Sequence, residues 1–223
     1  MRPVAPVAIL AEIASGLDPY VERCTTPESP ALAALARRTQ EADWGGTGVE
    51  AEMLSGHVEG QLLKTLVAFG RVRRVLEIGM FTGYAALAMA EALPEDGVVV
   101  ACEVDADVAA FAAEQLPFNV DVRVGPAAET LVSLDEPFDL IFLDADKAGY
   151  LGYFQAVLER GLLAPHGLLC VDNTLMQGEP WRSAPPSENG AAIAAFNDAV
   201  AADPRVEQVL LPVRDGLTLI RWA

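Results

Sequence analysis

Lysine is nearly missing from this sequence: Lys64 and Lys147 stand against thirteen arginines. Positive charge is scarce as a whole, since 15 basic and 32 acidic side chains leave a formal charge of −17. Such a field repels phosphate backbones and anionic lipid head groups, which argues against nucleic acid and membrane surfaces as partners. Cysteine is limited to Cys24, Cys102 and Cys170. An odd number without C-x-x-C spacing offers neither a disulfide framework nor a zinc site, and predicts reduced thiols in a cytoplasmic protein. No apolar run reaches the ~18 residues that a membrane span needs. The opening stretch MRPVAPVAILAEIASG has the outline of a weak secretory leader. Pro6 and Glu12 interrupt it and Ile9, Leu10 and Ile13 keep helical spacing, so a retained helical segment is expected.

What is present is the material of a packed domain. Apolar residues make up 52% and charged residues 21% of 223 positions, enough to bury a core without staples. Residues 1–50 read as a helical cap with loops, including the stripe Ala31, Leu32, Leu35 and Ala36 after Pro27–Pro30 and a turn at Gly45, Gly46 and Gly48. From Gly56 to Phe69 the apolar residues Val58, Leu62, Leu63, Leu66 and Val67 follow the 3.6-residue period of a helix. Short apolar runs then alternate with helical patterns. The runs are Val75–Ile78, Val98–Cys102, Val120–Val124, Leu140–Leu143 and Leu168–Val171; the helical patterns fall near 84–93, 106–115, 149–160 and 189–201. Unbroken apolar strands between helices predict a parallel sheet covered on both faces. Val206–Leu211 and Leu217–Trp222 flank Arg214, Asp215 and Gly216, the signal of an antiparallel hairpin. The expectation is one α/β domain over 1–223 with a seven-stranded, mostly parallel sheet.

In such sheets ligands bind beyond the carboxyl ends of the strands, where strand order reverses. Three sets of residues fall there. EIGMFTGY, from Glu77 to Tyr84, puts Gly79 and Gly83 in a turn able to approach a ligand closely. Glu103 ends the next strand, where a carboxylate can accept hydrogen bonds from both hydroxyls of an adenosine ribose. The dinucleotide fingerprint G-x-G-x-x-G needs a glycine where Phe81 stands, so a pyrophosphate is poorly served. S-adenosylmethionine fits better than NAD, with its adenosine toward Glu103 and its ammonium toward Glu77.

The third set carries the chemistry. FLDADK places Asp144, Asp146 and Lys147 at one strand end, and CVDNT places Asp172 and Asn173 at another. If those strands are neighbours, two carboxylates and an amide carbonyl converge as hard oxygen ligands for Mg²⁺, with Ca²⁺ or Mn²⁺ as alternatives. The bland alternative is that these side chains cap the following helices. Lys147 is one of only two lysines; unlike arginine, a desolvated lysine can release its proton and act as a base.

These segments resemble the cation-dependent class I O-methyltransferases, the Rossmann-like group of the caffeoyl-CoA and catechol O-methyltransferases. The likeness is carried by EIGMFTGYA, Gly125-Pro126-Ala127, FLDADK, the DNTLMQG run from Asp172 to Gly178, MLSGHVEGQLL from Met53 to Leu63, and LPVRDGLTLIRW. It implies Asp144, Asp172 and Asn173 as metal ligands and Lys147 as general base. It also implies Glu103 at the ribose, Ala127 by the adenine, and Glu77, Gly79, Tyr84, Met53 and Ser55 around the methionine part, with Asp144 close by. Asn173 and Lys147 would face a phenolic substrate, with Met176 and Trp181 as walls for its ring. A homodimer is implied as well. Two positions depart from the family pattern. Ala85 stands where a serine commonly holds the cofactor carboxylate, so Thr82 or water must substitute or binding must weaken. Met176 stands where tryptophan is common. The expected reaction is methylation of one hydroxyl of a catechol-type molecule. An NAD-linked oxidoreductase and a non-catalytic dimeric binding module of the same fold are the alternatives.

Overall fold

Strand-forming residues alternate between two apolar faces here, and that alternation builds the molecule. The structure, a computed structural model, describes residues 17, 19–45, 48–183 and 187–223. The expectations placed on residues 1–16 and on Gly46 lie outside the described residues. The chain runs α1 (Pro30–Glu41), α2 (Gly56–Gly70), β1 (Arg74–Ile78), α3 (Tyr84–Ala90), β2 (Val98–Glu103), α4 (Ala106–Ala113), β3 (Val120–Val124), α5 (Ala127–Ser133), β4 (Phe138–Leu143), α6 (Tyr150–Glu159), β5 (Leu163–Val171), α7 (Glu188–Ala202), β6 (Val206–Leu211) and β7 (Leu217–Trp222). Seven strands form one sheet in the order β3-β2-β1-β4-β5-β7-β6. β7 alone is reversed, pairing antiparallel with both β5 and β6.

Successive side chains of a strand point to opposite faces. Leu76, Ile78, Ile141, Leu143, Leu169 and Val171 pack with α5, α6 and α7 through residues such as Leu131, Phe154 and Phe196. Val75, Val99, Leu140, Phe142 and Cys170 pack on the other face with Leu63 and Val67 of α2 and Ala86 and Met89 of α3. Each large side chain so buried contributes roughly 1.5–3 kcal/mol, which is why these strands are apolar on both faces. α1 forms an outer layer, with Leu32 and Leu35 against Tyr84, Leu87 and Ala88 of α3. Ser29 caps α1 by accepting from the Leu32 amide, with Pro30 at the first helical position.

The boundaries differ from expectation in two places. β5 begins at Leu163, five residues before the expected Leu168, across a register irregularity opposite Phe138 and Leu140. His166 therefore lies within β5. α5 has no counterpart in the sequence reading, because only Leu131 of its seven residues is buried. Strand order reverses between β1 and β4, whose tips are joined by the Asp144 amide donating to the Ile78 carbonyl at 2.9 Å. The site is built around that junction.

Candidate active site

β1 ends in a turn where Gly79, Phe81 and Gly83 all have positive φ, at 92°, 52° and 85°. The amides of Gly79 and Met80 donate to the Cys102 carbonyl of β2. A Cβ on Gly79 would lie 2.0 Å from the carbonyl oxygen of Asp144, so only glycine lets β1 and β4 tips touch. Beside this turn opens a cavity of about 850 Å³, large enough for a nucleoside with a second small molecule.

Glu103, at the tip of β2, lines one end. The Phe81 amide donates to one of its carboxyl oxygens at 2.7 Å and the Asp105 amide to the other at 3.0 Å. Burial pushes this carboxyl up and those amides pull it back; each oxygen keeps a lone pair for a ligand hydroxyl. Ala127, at the start of α5, lines the same cavity. Glu77 shares the β1 face of Val75 and is 1% exposed. Burial, reinforced by the charges of Asp144 and Glu103, holds it well above the usual carboxylate range, although the Ala86 amide donates to it. Its Oε2 is buried with no hydrogen-bond partner. An orphaned buried oxygen of this kind is costly and suits a ligand donor such as an ammonium group.

At the other end the tips of β4 and β5 stand side by side, with Leu143 paired to Val171 and the Asp172 amide donating to the Leu143 carbonyl. Asp144, Asp172 and Asn173 all line the cavity here. The Lys147 ammonium donates to Asp144 Oδ1 at 2.8 Å and to the Tyr150 hydroxyl at 2.7 Å. That hydroxyl donates to the Asp172 carbonyl at 3.2 Å. Asn173 adopts φ 58° and its Nδ2 donates to Asp172 Oδ2 at 3.0 Å, which leaves its own carbonyl oxygen available. Asp172 is 4% exposed and its Oδ1 has no hydrogen-bond partner. Burial and then the Asp144 charge push Asp172 upward.

This donor set fits a hard divalent cation: two carboxylates, one of them with an unpartnered oxygen, and one amide carbonyl, with room for water. No group of three or more His, Cys, Asp or Glu side chains arranged to hold a metal occurs among the described residues. Any cation here would rest on two acids and an amide.

The structure gathers Met53, Ser55, Gly79, Tyr84, Glu103, Ala127, Asp144, Lys147, Asp172 and Asn173 around one cavity. Ala85 and Glu77 are buried and do not line it. Two expected substrate walls lie elsewhere. Met176 packs toward the α6–α7 core, and Trp181 is 68% exposed beside Gly178. The cause is the loop after β5, where Met176 and Gln177 both take positive φ and turn the chain aside. Thr82 does not stand in for the missing hydroxyl at position 85: it is fully buried and accepts from the Thr39 hydroxyl of α1 at 2.9 Å. His57 does not line the cavity and bonds the Thr26 carbonyl. Trp222 donates to the Leu163 carbonyl, and Trp44 packs on Phe81 and Phe111.

Several site residues escaped the sequence reading. Glu59 of α2 is 1% exposed and hydrogen-bonds Asp172, while its other contact is the Arg214 guanidinium at 3.1 Å. Burial, then the Asp172 charge, push the Glu59 carboxyl up, against the pull of the Arg214 guanidinium. A signal existed: Glu59, Leu63 and Val67 are spaced i, i+4, i+8, which puts an acid on the buried stripe of a helix. Arg214, read only as part of a turn, and Asn189 and Tyr153 also line the cavity.

Comparison with known proteins agrees with this geometry. A family model described as O-methyltransferase matches residues 22–223. The chain is 35% identical over 202 residues to catechol O-methyltransferase domain-containing protein 1 of Mus musculus, covering 86% of this chain and 74% of that one. It is 38% identical over 181 residues to caffeoyl-CoA O-methyltransferase 1 of Eucalyptus globulus, covering 73% and 72%. Among solved structures, the S-adenosylhomocysteine-bound methyltransferase PaMTH1 of Podospora anserina superposes with a TM-score of 0.84 at 30% identity, over 100% of this chain and 98% of that one. With a Rossmann-like sheet, a nucleoside-sized cavity at its switch point and these likenesses, the chain belongs to the O-methyltransferase family and is an S-adenosylmethionine-dependent enzyme of it.

Proposed function

We propose that this enzyme moves the methyl group of S-adenosylmethionine to one hydroxyl of a catechol-type small molecule, with a divalent cation, Mg²⁺ by preference, held by Asp144, Asp172 and Asn173. One observation carries the reading: oxygen ligands from adjacent strand tips and a lysine share a cavity with Glu103. When bound, the cation supplies Lewis acidity that favours the phenolate over the phenol.

The chain's own residues account for the rest. Glu103 accepts hydrogen bonds from the ribose hydroxyls, and Ala127 leaves room for the adenine. Glu77 receives the ammonium on its unpartnered oxygen, and Gly79, Tyr84, Met53 and Ser55 enclose the methionine part. The Lys147 ammonium first gives a proton to solvent, and its neutral Nζ then takes the phenolic proton. Tyr150 fixes that nitrogen from one side and Asp144 from the other. Asn173 also faces the acceptor. Holding one oxygen in line with the methyl carbon lowers the barrier by several kcal/mol or more.

Acids predominate along the cavity, which favours a small free catechol over an acceptor carrying several phosphates. The same reading takes 1–223 as one catalytic domain of a cytoplasmic homodimer, in which the exposed Phe69 and Phe118, at 89% and 94%, are candidates for coverage. Phe81 lines the cavity where a dinucleotide pyrophosphate needs an open backbone, which disfavours an NAD-linked reaction.

The test is a panel of free catechols and caffeoyl-CoA with radiolabelled S-adenosylmethionine, run with Mg²⁺ and with EDTA. Label should enter catechols in Mg²⁺ and vanish in EDTA. Turnover indifferent to chelation removes the cation from the reading. A milder effect is expected from Tyr150→Phe, which deletes one hydrogen bond to a charged group. Its kcat should fall about tenfold with the KM for S-adenosylmethionine unchanged. A rise in that KM instead would place Tyr150 at the cofactor.

A further inference from the structure

Arg214 is an anomaly in this site. It sits in the turn between β6 and β7 at φ 49°, a backbone conformation that glycine adopts freely and arginine does not. Strain of this kind persists where the side chain is needed. The guanidinium reaches back over the start of α2. Nη1 donates to Glu59 at 3.1 Å, Nη2 lies 3.4 Å from the Leu54 carbonyl, and a Cβ on Gly56 would stand 3.3 Å from Nη1. The side chain is 40% exposed and lines the cavity together with Ser55 and Tyr84.

The charges around the cavity show what that position can do. Its described lining holds the acids Glu52, Glu103, Asp144, Asp146 and Asp172, and only two cations, Lys147 and Arg214. Lys147 is committed to Asp144 and Tyr150. A ligand carboxylate entering such a field needs a cationic partner, and Arg214 is the one whose fork is not filled, since two of its five N–H donors are used. Ala85 offers no hydroxyl, and the Thr82 hydroxyl is bonded to Thr39. The neighbouring amino end of the 15-residue α2 adds a partial positive charge, and Ser55 makes no side-chain cap there.

We infer that Arg214 binds the carboxylate of the cofactor's methionine end, so that the β6–β7 turn closes the cavity over a zwitterion whose ammonium lies at Glu77. This rests on the reading of the cavity as an S-adenosylmethionine site. It makes Arg214 a cofactor-affinity residue with no part in moving the proton.

Calorimetry with two ligands separates the possibilities: S-adenosylhomocysteine, and its decarboxylated analogue, which keeps the amine and lacks the carboxylate. Arg214→Gly is the informative variant, because glycine suits the backbone there and the fold is retained. It should weaken S-adenosylhomocysteine about ten- to a hundred-fold and leave the analogue within about twofold, with Arg214→Lys recovering part of the loss. Equal loss for both ligands would mean a structural role, and no loss for either would put the carboxylate elsewhere; each overturns the inference. An effect on the KM of the acceptor alone overturns it too, by assigning Arg214 to the substrate. Wild-type protein that binds neither ligand fails the cofactor reading itself, a different result from a variant that binds both.

Discussion

Asp144→Ala is expected to lower turnover by at least about a thousand-fold while leaving the fold intact. The residue stands in two functional relationships at once. It is one of three oxygen ligands proposed for the cation, and its Oδ1 accepts from Lys147 at 2.8 Å. Truncation removes a ligand and lets the ammonium swing, so the two losses fall on one step. Stability should move in the other direction. The Asp144 charge raises the carboxyls of Glu77, Asp172, and Glu59, so without cation it is a source of repulsion, and its removal should leave the thermal midpoint in EDTA unchanged or higher. Mg²⁺ should raise the midpoint of the wild type by mass action and not that of the variant, a readout independent of activity. A variant that unfolds in EDTA, or that keeps its turnover, contradicts this account.

The second large effect is expected at Gly79. Alanine there would set its Cβ 2.0 Å from the Asp144 carbonyl oxygen at φ 92°. The obstacle is backbone and cannot rotate away, so the β1 turn or the β4 tip must move. Denaturant unfolding should show a loss of more than about 4 kcal/mol. If the variant folds, its affinity for S-adenosylhomocysteine should be gone, because both displaced segments line the cavity. Gly161→Ala is the control. It follows the end of α6 at φ 67° with nothing within 4 Å of the added carbon, so strain alone should cost about 1–2 kcal/mol. Equal losses at the two positions would show that backbone conformation, and not the contact with Asp144, makes Gly79 necessary.

β1, β2, β4 and the end of β5 were legible because their residues face cores on both sides and so read as apolar runs. β3 kept only its valines as a signal, and the largely exposed β6 was legible with β7 through the turn at Arg214, Asp215 and Gly216. Residues 163–167 of β5 were not, since Pro165 and His166 are exposed and interrupt the run. The strand tips of the site followed directly: parallel pairing fixes Asp144 beside Asp172 once Leu143 pairs with Val171. Loops gave no such constraint. Family likeness placed Met176, and sequence distance Trp181, near the site, and neither lines the cavity at the end of a loop in which Asn173, Met176, Gln177 and Gly178 all have positive φ. Arg214 was invisible for a related reason, because a turn motif predicts where the backbone reverses and says nothing about where a long side chain ends. Glu59 was legible in principle: an acid on a buried helical stripe is unusual enough to ask what it faces.

The reversed strand β7, lying between β5 and β6, has a consequence for biogenesis. On a ribosome β6 emerges first and finds no free strand to join, because its place in the sheet is reached only through β7. Until residues 217–222 leave the exit tunnel, the β5 edge stays open and the Thr218 hydroxyl cannot meet Thr174 just past the β5 tip. The nascent chain must wait with an unpaired edge, the state most prone to wrong association, until the β6–β7 hairpin has emerged.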